Sequence, residues 1–258
     1  MRRSIDLNCD MGESYGAWTM GQDEAVMPLV SSANIACGFH AGDPTVMRRT
    51  VHLAKRHGVS IGAHVSLPDL QGFGRREMKL SPDEARDLTL VQIGALAAIA
   101  RAEDARLVHV KPHGALYNMA ARDERLADAI ARAVREFDPA LILFGLAGSA
   151  LPRAGAALGL RVAHEAFCDR RYEADGSLTP RTLPGAVIDD PSAAASQLAA
   201  LVTTGEVGSR EGARIHVACD TVCVHGDRSD AAAFARALRA RLDADGIAVR
   251  AIATDQTP

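Results

Sequence analysis

The stretch NIACGFHAGDP, residues 34–44, decides the fold by its alternation. Residues two apart on an extended chain share a face. Ile35, Cys37 and Phe39 therefore form an apolar side, while Asn34, Ala36, Gly38 and His40 form a polar or bare one. The same division recurs elsewhere. Asp6, Asn8 and Asp10 oppose Ile5, Leu7, Cys9 and Met11; Gly62, His64 and Ser66 oppose Ile61, Ala63 and Val65; His109, Lys111 and His113 oppose Val108 and Val110. An antiparallel sheet with one wet face would give this pattern too. The segments between the strands read as helices, however, and helices covering the apolar faces favour parallel pairing. The expectation is an α/β fold, a closed or nearly closed βα barrel with helices outside and polar side chains inside.

Strands are expected at Ser4–Cys9, Asn34–Phe39, Val59–His64, Leu107–Lys111, Leu141–Phe144, Arg161–Glu165, Ile215–Ala218 and Ala248–Ile252. Helix starts are marked by Asp43-Pro44 and Asp190-Pro191, each a capping residue before a helix-opening proline, and by a capping box from Ser81 to Glu84. Gly58, Gly159 and Gly246 stand where helices would stop. No linker or repeat interrupts the series, so residues 1–258 read as one barrel domain. Two strand-to-helix connections, Ser66 to Leu80 and Phe167 to about Asp190, are long enough to be binding loops or lids rather than plain turns.

Composition narrows the function. Of 258 residues, 48% are hydrophobic and 24% charged, and the net charge of -3 comes with no dense basic run, so no nucleic-acid footprint is present. No apolar stretch is long enough to span a bilayer, and the first residues lack the apolar core of a signal peptide. A cytoplasmic protein is expected, with its five cysteines as buried free thiols. Neither a Walker-type G-x-x-x-x-G-K-[ST] nor a dinucleotide-binding G-x-G-x-x-G after the first strand occurs, so the chain has no recognisable nucleotide site of its own. The glycines of GFGRR, residues 72–76, read as loop flexibility.

Ordinary barrels fill their interior with Val, Ile and Leu. Here carboxylates, imidazoles and an ammonium would point inward, and buried charges with nothing to bind are costly. The economical explanation is a polar ligand pocket at the mouth, because the polar groups gather at strand C-termini: Asp10 and Glu13, His40 and Asp43, His64, Lys111 and His113, then Glu165, Asp169 and Arg170, and finally His225 and Asp227. Two chemistries fit. Asp10, His64 and His113 could hold a divalent metal that activates water. Alternatively the same groups could move protons without a metal while Arg and Lys hold an anionic substrate. Any single histidine could be merely structural; their common face is what speaks against that. Lys111 is one of three lysines in a chain that otherwise uses arginine, and a compact cation of tunable pKa is a physical reason to keep it.

Six ordered blocks, IDLNCDMGE, SSANIACGFHAGDP, IGAHVSLPDLQGFGRR, HVKPHGALYN, FCDRRYEADGSL and VCVHGD, closely resemble the LamB/YcsF family over nearly the whole length. The resemblance implies a seven-stranded, TIM-like βα barrel of the glycoside hydrolase/deacetylase type. It also implies ATP-dependent opening of 5-oxo-L-proline to L-glutamate by a 5-oxoprolinase, shared with partner subunits B and C; the missing nucleotide motif puts the expected ATP site in those partners. Matches carry over at Asp6, Asn8, Asp10, Glu13, His40, Asp43, His64, Lys111, His113, Asp169, Arg170, His225 and Asp227. Val65 and Cys168 depart from the family pattern, where Pro and Ala are expected, without removing an ionisable group. The roles are inferred: Asp10, Glu13, His40, His64, Lys111 and His113 as catalytic, with Asp10 or His113 as general base and Lys111 stabilising an oxyanion or phosphate. Asp6, Asn8, Arg75, Asp169, Arg170, His225 and Asp227 are expected to bind substrate. The alternatives are a stand-alone metal-dependent amidohydrolase or carbohydrate deacetylase, and a non-catalytic subunit that binds the lactam.

Overall fold

Strands followed at once by strong helix starts set the architecture. The Asp43 carboxylate accepts hydrogen bonds from the backbone N–H groups of Thr45 and Val46, with Pro44 opening the helix, and Gly58 ends it in a left-handed turn. Ser81 and Glu84 form the expected reciprocal capping box, and Asp190 repeats the Asp-Pro device. In a computed structural model that describes residues 4–224, 226 and 230–252, the order is β1 (Ser4–Met11), α1 (Asp23–Val26), a 3-10 turn (Met27–Leu29), β2 (Ser32–Ala36), α2 (Pro44–His57), β3 (Ser60–Val65), α3 (Pro82–Ala102), β4 (Leu107–Pro112), α4 (Gly114–Arg122) and α5 (Glu124–Phe137). It continues with β5 (Ile142–Leu146), α6 (Ala150–Ala157), β6 (Arg161–Phe167), α7 (Pro191–Thr203), β7 (Glu206–Gly208), β8 (Arg214–His216), β9 (Thr221–Val224), α8 (Ala231–Ala244) and β10 (Ala248–Val249).

Seven parallel strands close a ring in the order β1-β2-β3-β4-β5-β6-β9, with β9 returning to β1 through Asp6–Thr221 to Cys9–Val224. The helices surround it. Leu7, Cys9, Ile35, Ala63, Val65, Val110 and Leu143 are fully buried between barrel and helices, each large aliphatic contributing on the order of 1.5–3 kcal/mol. Among the described residues no helix is long and apolar enough to cross a membrane.

Three sequence expectations are corrected. The seventh stave is β9, not Ile215–Ala218; residues 214–216 instead form an antiparallel pair with β7 outside the ring. Both runs alternate, but the interior is polar, and Thr221 satisfies it by bonding Asp6 and Asn8. The expected strand at Ala248–Ile252 shrinks to β10, which pairs only with Ser4 and Ile5 and adds nothing to the closure. Finally, β2 begins and ends earlier than Asn34–Phe39. After Ala36 the chain enters a tight turn closed by Gly38 N–H to Ala41 carbonyl, with Gly38 at φ 95°. Only Asn34, Ile35 and Ala36 of the opening stretch belong to a stave; the rest is a turn that delivers His40 and Asp43 above the barrel.

Candidate active site

The inward side chains form stacked layers. At the N-terminal end of the barrel Asp6 accepts from Ser31, Ser32 and Thr221 hydroxyls and is 1% exposed. Asn8, one layer up, donates to Glu165 Oε1 and Thr221 Oγ1, while its carbonyl accepts from Asn34 and Lys111. Neither lines the cavity at the mouth. The expectation that they bind substrate therefore gives way to a structural role: they brace the layers above. Asp6 and Asp10 share a face but lie four residues apart, about 13 Å along a strand.

Lys111 is the centre of the next layer. Its ammonium lies 2.9 Å from Asp10 Oδ1, 2.8 Å from Glu165 Oε1, 3.1 Å from Asn8 Oδ1 and 3.2 Å from Cys223 Sγ. Tyr117 OH donates to the other Glu165 oxygen at 2.6 Å. Burial alone would lower the Lys111 pKa, but Asp10 and Glu165 outweigh it and keep the group well above its ordinary value, fully cationic. Burial would likewise raise Asp10, yet His64 and Lys111 hold its carboxyl well below the usual carboxylate range. Sequence reasoning places Glu165 at a strand end without giving it a role, and it misses Tyr117. The available signal is a carboxylate sharing the inward parity of β6 with Ala163 and Phe167, which demands a buried cation.

His40, His64 and His113 meet above this layer. His40 stacks on His113 at 4.0 Å between centroids, and His64 Nε2 lies 3.0 Å from His113 Nδ1 and 3.3 Å from Asp10 Oδ2. Glu13 Oε1 is 3.4 Å from His40 Nε2 and 3.7 Å from His113 Nδ1. Burial and then His64 push the His113 imidazole down to about 3. The 72–76 loop seals the cluster: Phe73 carbonyl meets His113 Nε2 at 2.9 Å, and the Phe73 ring stands edge-on to both His40 and His113. Its glycines are not flexibility. Gly74 has φ 65°, and a Cβ there would lie 2.2 Å from Ser66 Oγ and 2.9 Å from His40 Cβ.

Asp10, His64, Lys111 and His113 floor a cavity of about 530 Å³. Its walls come from the two long loops and α4: Arg75 from the first loop, Arg170 and Thr179–Thr182 from the second, Tyr117 and Arg122 from α4. Arg75 lies over the Phe73 ring, 5.1 Å from its centroid. Arg76 is instead tied to buried Asp69, and Arg170 donates Nη2 to the Thr179 carbonyl at 2.7 Å. Asp169 is buried and, unlike Arg170, does not line the cavity. Asp43 caps α2 and bonds Gly16 N–H. His225 and Asp227 lie outside the described residues. All five cysteines are buried free thiols, as expected. Cys168 is packed inside, and Val65 carbonyl accepts the His113 N–H at 2.7 Å.

His109, deeper in the barrel, gives a stability prediction. Its ring stacks on Phe144 at 4.2 Å, bonds Asn34 Oδ1 at 2.7 Å, and fills the space where a Cβ on Gly62 would sit. Burial, then Lys111, pushes its pKa to about 3. The unfolded chain protonates this group below about 6.5 while the folded one does not. Stability is therefore fully present above that pH and lost as pH falls, by about 2 kcal/mol at pH 5 from this residue alone. Asp6, whose carboxyl burial raises, works in the opposite sense. Urea unfolding at pH 7.5 and pH 5 should show a smaller acid loss for His109→Gln than for the wild type; equal losses would contradict this assignment.

Comparison with known proteins agrees with the barrel fold. Residues 5–257 match the model of the LamB/YcsF family. The chain is 62% identical over 252 residues to the A subunit of 5-oxoprolinase from Methylococcus capsulatus, covering 98% of this chain and 97% of the relative. It is 55% identical over 253 residues to the one from Bacillus subtilis, covering 98% of each. A crystal structure of the lactam utilization protein from Thermus thermophilus superposes with TM-score 0.93 at 50% identity, over 96% of this chain and 100% of that one. The catalytic domain of a peptidoglycan N-acetylglucosamine deacetylase from Eubacterium rectale shares the fold alone, with TM-score 0.53 at 9% identity over 100% of this chain and 91% of that one.

Proposed function

Because the chain belongs to the LamB/YcsF family, we propose that it is the A subunit of a 5-oxoprolinase and that its barrel opens the ring of 5-oxo-L-proline after partner subunits B and C have activated the amide with ATP. The observation that carries this reading is the buried Lys111 ammonium, paired with Asp10 and Glu165, on the floor of an arginine-walled cavity. The relatives' names supply the substrate class.

Hydrolysis of a five-membered lactam is opposed by re-closure, since the freed amine stays beside the new carboxylate. Phosphorylating the amide oxygen removes that obstacle. In the partners ATP gives its γ-phosphoryl group to the lactam oxygen and leaves as ADP. In the barrel one water adds to the ring carbon and the C–N bond breaks, the amine taking a proton. A second water takes the phosphoryl group, leaving L-glutamate and phosphate. Lys111 is placed to stabilise negative charge on the oxygen at that carbon. Arg75 and Arg170 provide cations for the substrate carboxylate and the phosphoryl oxygens.

The proton acceptor is Asp10. His113 spends Nε2 on the Phe73 carbonyl and turns Nδ1 into the imidazole cluster beside His64, whereas Asp10, its Oδ1 held by Asn34 and Lys111 and its Oδ2 3.3 Å from His64 Nε2, is kept a carboxylate on the cavity floor. A carboxylate of depressed pKa is a weak base, which suffices for water attacking an activated imidate better than for water attacking an unactivated amide.

The test is glutamate release from 5-oxoproline and ATP by purified B and C subunits with and without this chain. Release only when all three are present supports the reading. Release by B and C alone, or by none of the combinations, removes it.

A further inference from the structure

His40 is 1% exposed, and among the described residues neither of its ring nitrogens has a hydrogen-bond partner. Leaving a buried polar group unpaired costs about 1–3 kcal/mol, and buried histidines normally avoid it. The neighbours show what the ring faces. His64 Nδ1 lies 2.9 Å from the Lys111 carbonyl, and His113 Nε2 lies 2.9 Å from the Phe73 carbonyl. A carbonyl only accepts, so each ring spends an N–H there. In the neutral ring the other nitrogen is then bare, and these bare nitrogens, His64 Nε2 and His113 Nδ1, face each other at 3.0 Å. Glu13 Oε1 and His40 Nε2 join them. One ligand atom from each of the four residues falls within a 4.8 Å span.

With the His40 ring proton on Nδ1, four acceptors are turned toward one another, and positive charge between them satisfies all four. A single shared proton would serve one pair and leave the others opposed. A divalent ion serves all four. With bonds of about 2.0–2.1 Å, the ligand atoms of a tetrahedral zinc site lie about 3.3 Å apart. The separations of 3.0, 3.4 and 3.7 Å bracket that spacing. The two carbonyl contacts are the outer hydrogen bonds that orient metal-binding imidazoles.

We propose that Glu13, His40, His64 and His113 form a divalent transition-metal site of the zinc class at the inner end of the cavity. Of the three ligands expected from the sequence, His64 and His113 belong to it. Asp10 does not: its Oδ1 is held by Lys111 and Asn34, and its Oδ2, though 3.3 Å from His64 Nε2, stands outside the cluster of four. The Gly74 backbone closes the far side, where a side chain would displace His40 and His113. The proposal does not rest on the ring-opening reading, since ion binding and lactam chemistry are separate measurements.

The experiment uses the full chain, stripped with chelator, re-supplied with zinc or cobalt, desalted and assayed for bound metal by mass spectrometry. About one ion per folded chain is expected, with the visible spectrum of low-coordinate cobalt, and at least about 100-fold weaker binding in His40→Ala and Glu13→Gln. Folded wild type that retains neither ion at micromolar free metal would overturn the proposal in favour of a shared proton. Unchanged binding in both variants would place the ion elsewhere and overturn it too. Should the variants not fold by circular dichroism, X-ray absorption of the zinc-loaded wild type decides: three imidazoles support the site, two or fewer refute it. Absent metal with normal glutamate release would sink this proposal alone, and bound metal without glutamate release would sink only the functional one.

Discussion

Lys111→Met is expected to abolish glutamate release and to lower the unfolding free energy by about 3–5 kcal/mol. The ammonium has three protons, and Asp10, Glu165 and Asn8 lie where they can take them. Removing it leaves two carboxylates in a buried layer where, among the described residues, Asn34, Asn8, the Tyr117 hydroxyl and His64, 3.3 Å from Asp10 Oδ2, remain beside them. One carboxylate must then take up a proton or the layer must open to water. The double variant Lys111→Met/Glu165→Gln removes one of the stranded charges, so it should regain at least about 1 kcal/mol over the single variant. Turnover should stay absent, because nothing replaces the cation at the reacting oxygen. Urea unfolding gives the first result and the reconstituted glutamate-release assay the second. A folded Lys111→Met protein working within tenfold of wild type would show that the lysine is a structural counter-ion and no more.

The polar interior is legible in the sequence because strand parity is a property of the chain alone. Asp6, Asn8 and Asp10, or His109 and Lys111, announce a common face wherever the strand ends up. Parity says nothing about depth, and depth is what separates Asp6, sealed under Ser31, Ser32 and Thr221, from Asp10 at the cavity floor. The seventh stave is misplaced for a related reason. Residues 215–218 and 221–224 both alternate, and the choice between them is made by partners more than two hundred residues away in sequence, Asp6 and Asn8. Tyr117, on α4, is invisible as a site residue because its reason for being there, Glu165, lies on β6. The ends of β2 are misjudged when Gly38 is read by its place in an alternation. Its positive φ belongs to a turn.

Gly74→Ala is expected to cost about 2–5 kcal/mol, the sum of about 1–2 kcal/mol for a left-handed non-glycine residue and 1–3 kcal/mol for overpacking. The new methyl would lie 2.2 Å from Ser66 Oγ, 2.9 Å from His40 Cβ and 3.0 Å from His113 Cδ2. The last two contacts couple the backbone of the 72–76 loop to the imidazole cluster. Gly74 carbonyl also accepts the Ala115 N–H at 2.8 Å, so a retreating loop would loosen the first turn of α4. Gly72 distinguishes crowding at the imidazoles from simple loss of a loop glycine. A Cβ there would meet the Asp69 carboxylate and the Arg76 guanidinium, away from the histidines. Gly72→Ala should therefore destabilise the loop while leaving kcat within about tenfold of wild type. Gly74→Ala, which shifts two site rings by a sizeable fraction of an ångström, should lower kcat by at least about 100-fold in whatever fraction remains folded. Equal losses of activity in the two variants would mean that the loop acts on the reaction through its overall order and not through the pressure of its backbone on His40 and His113.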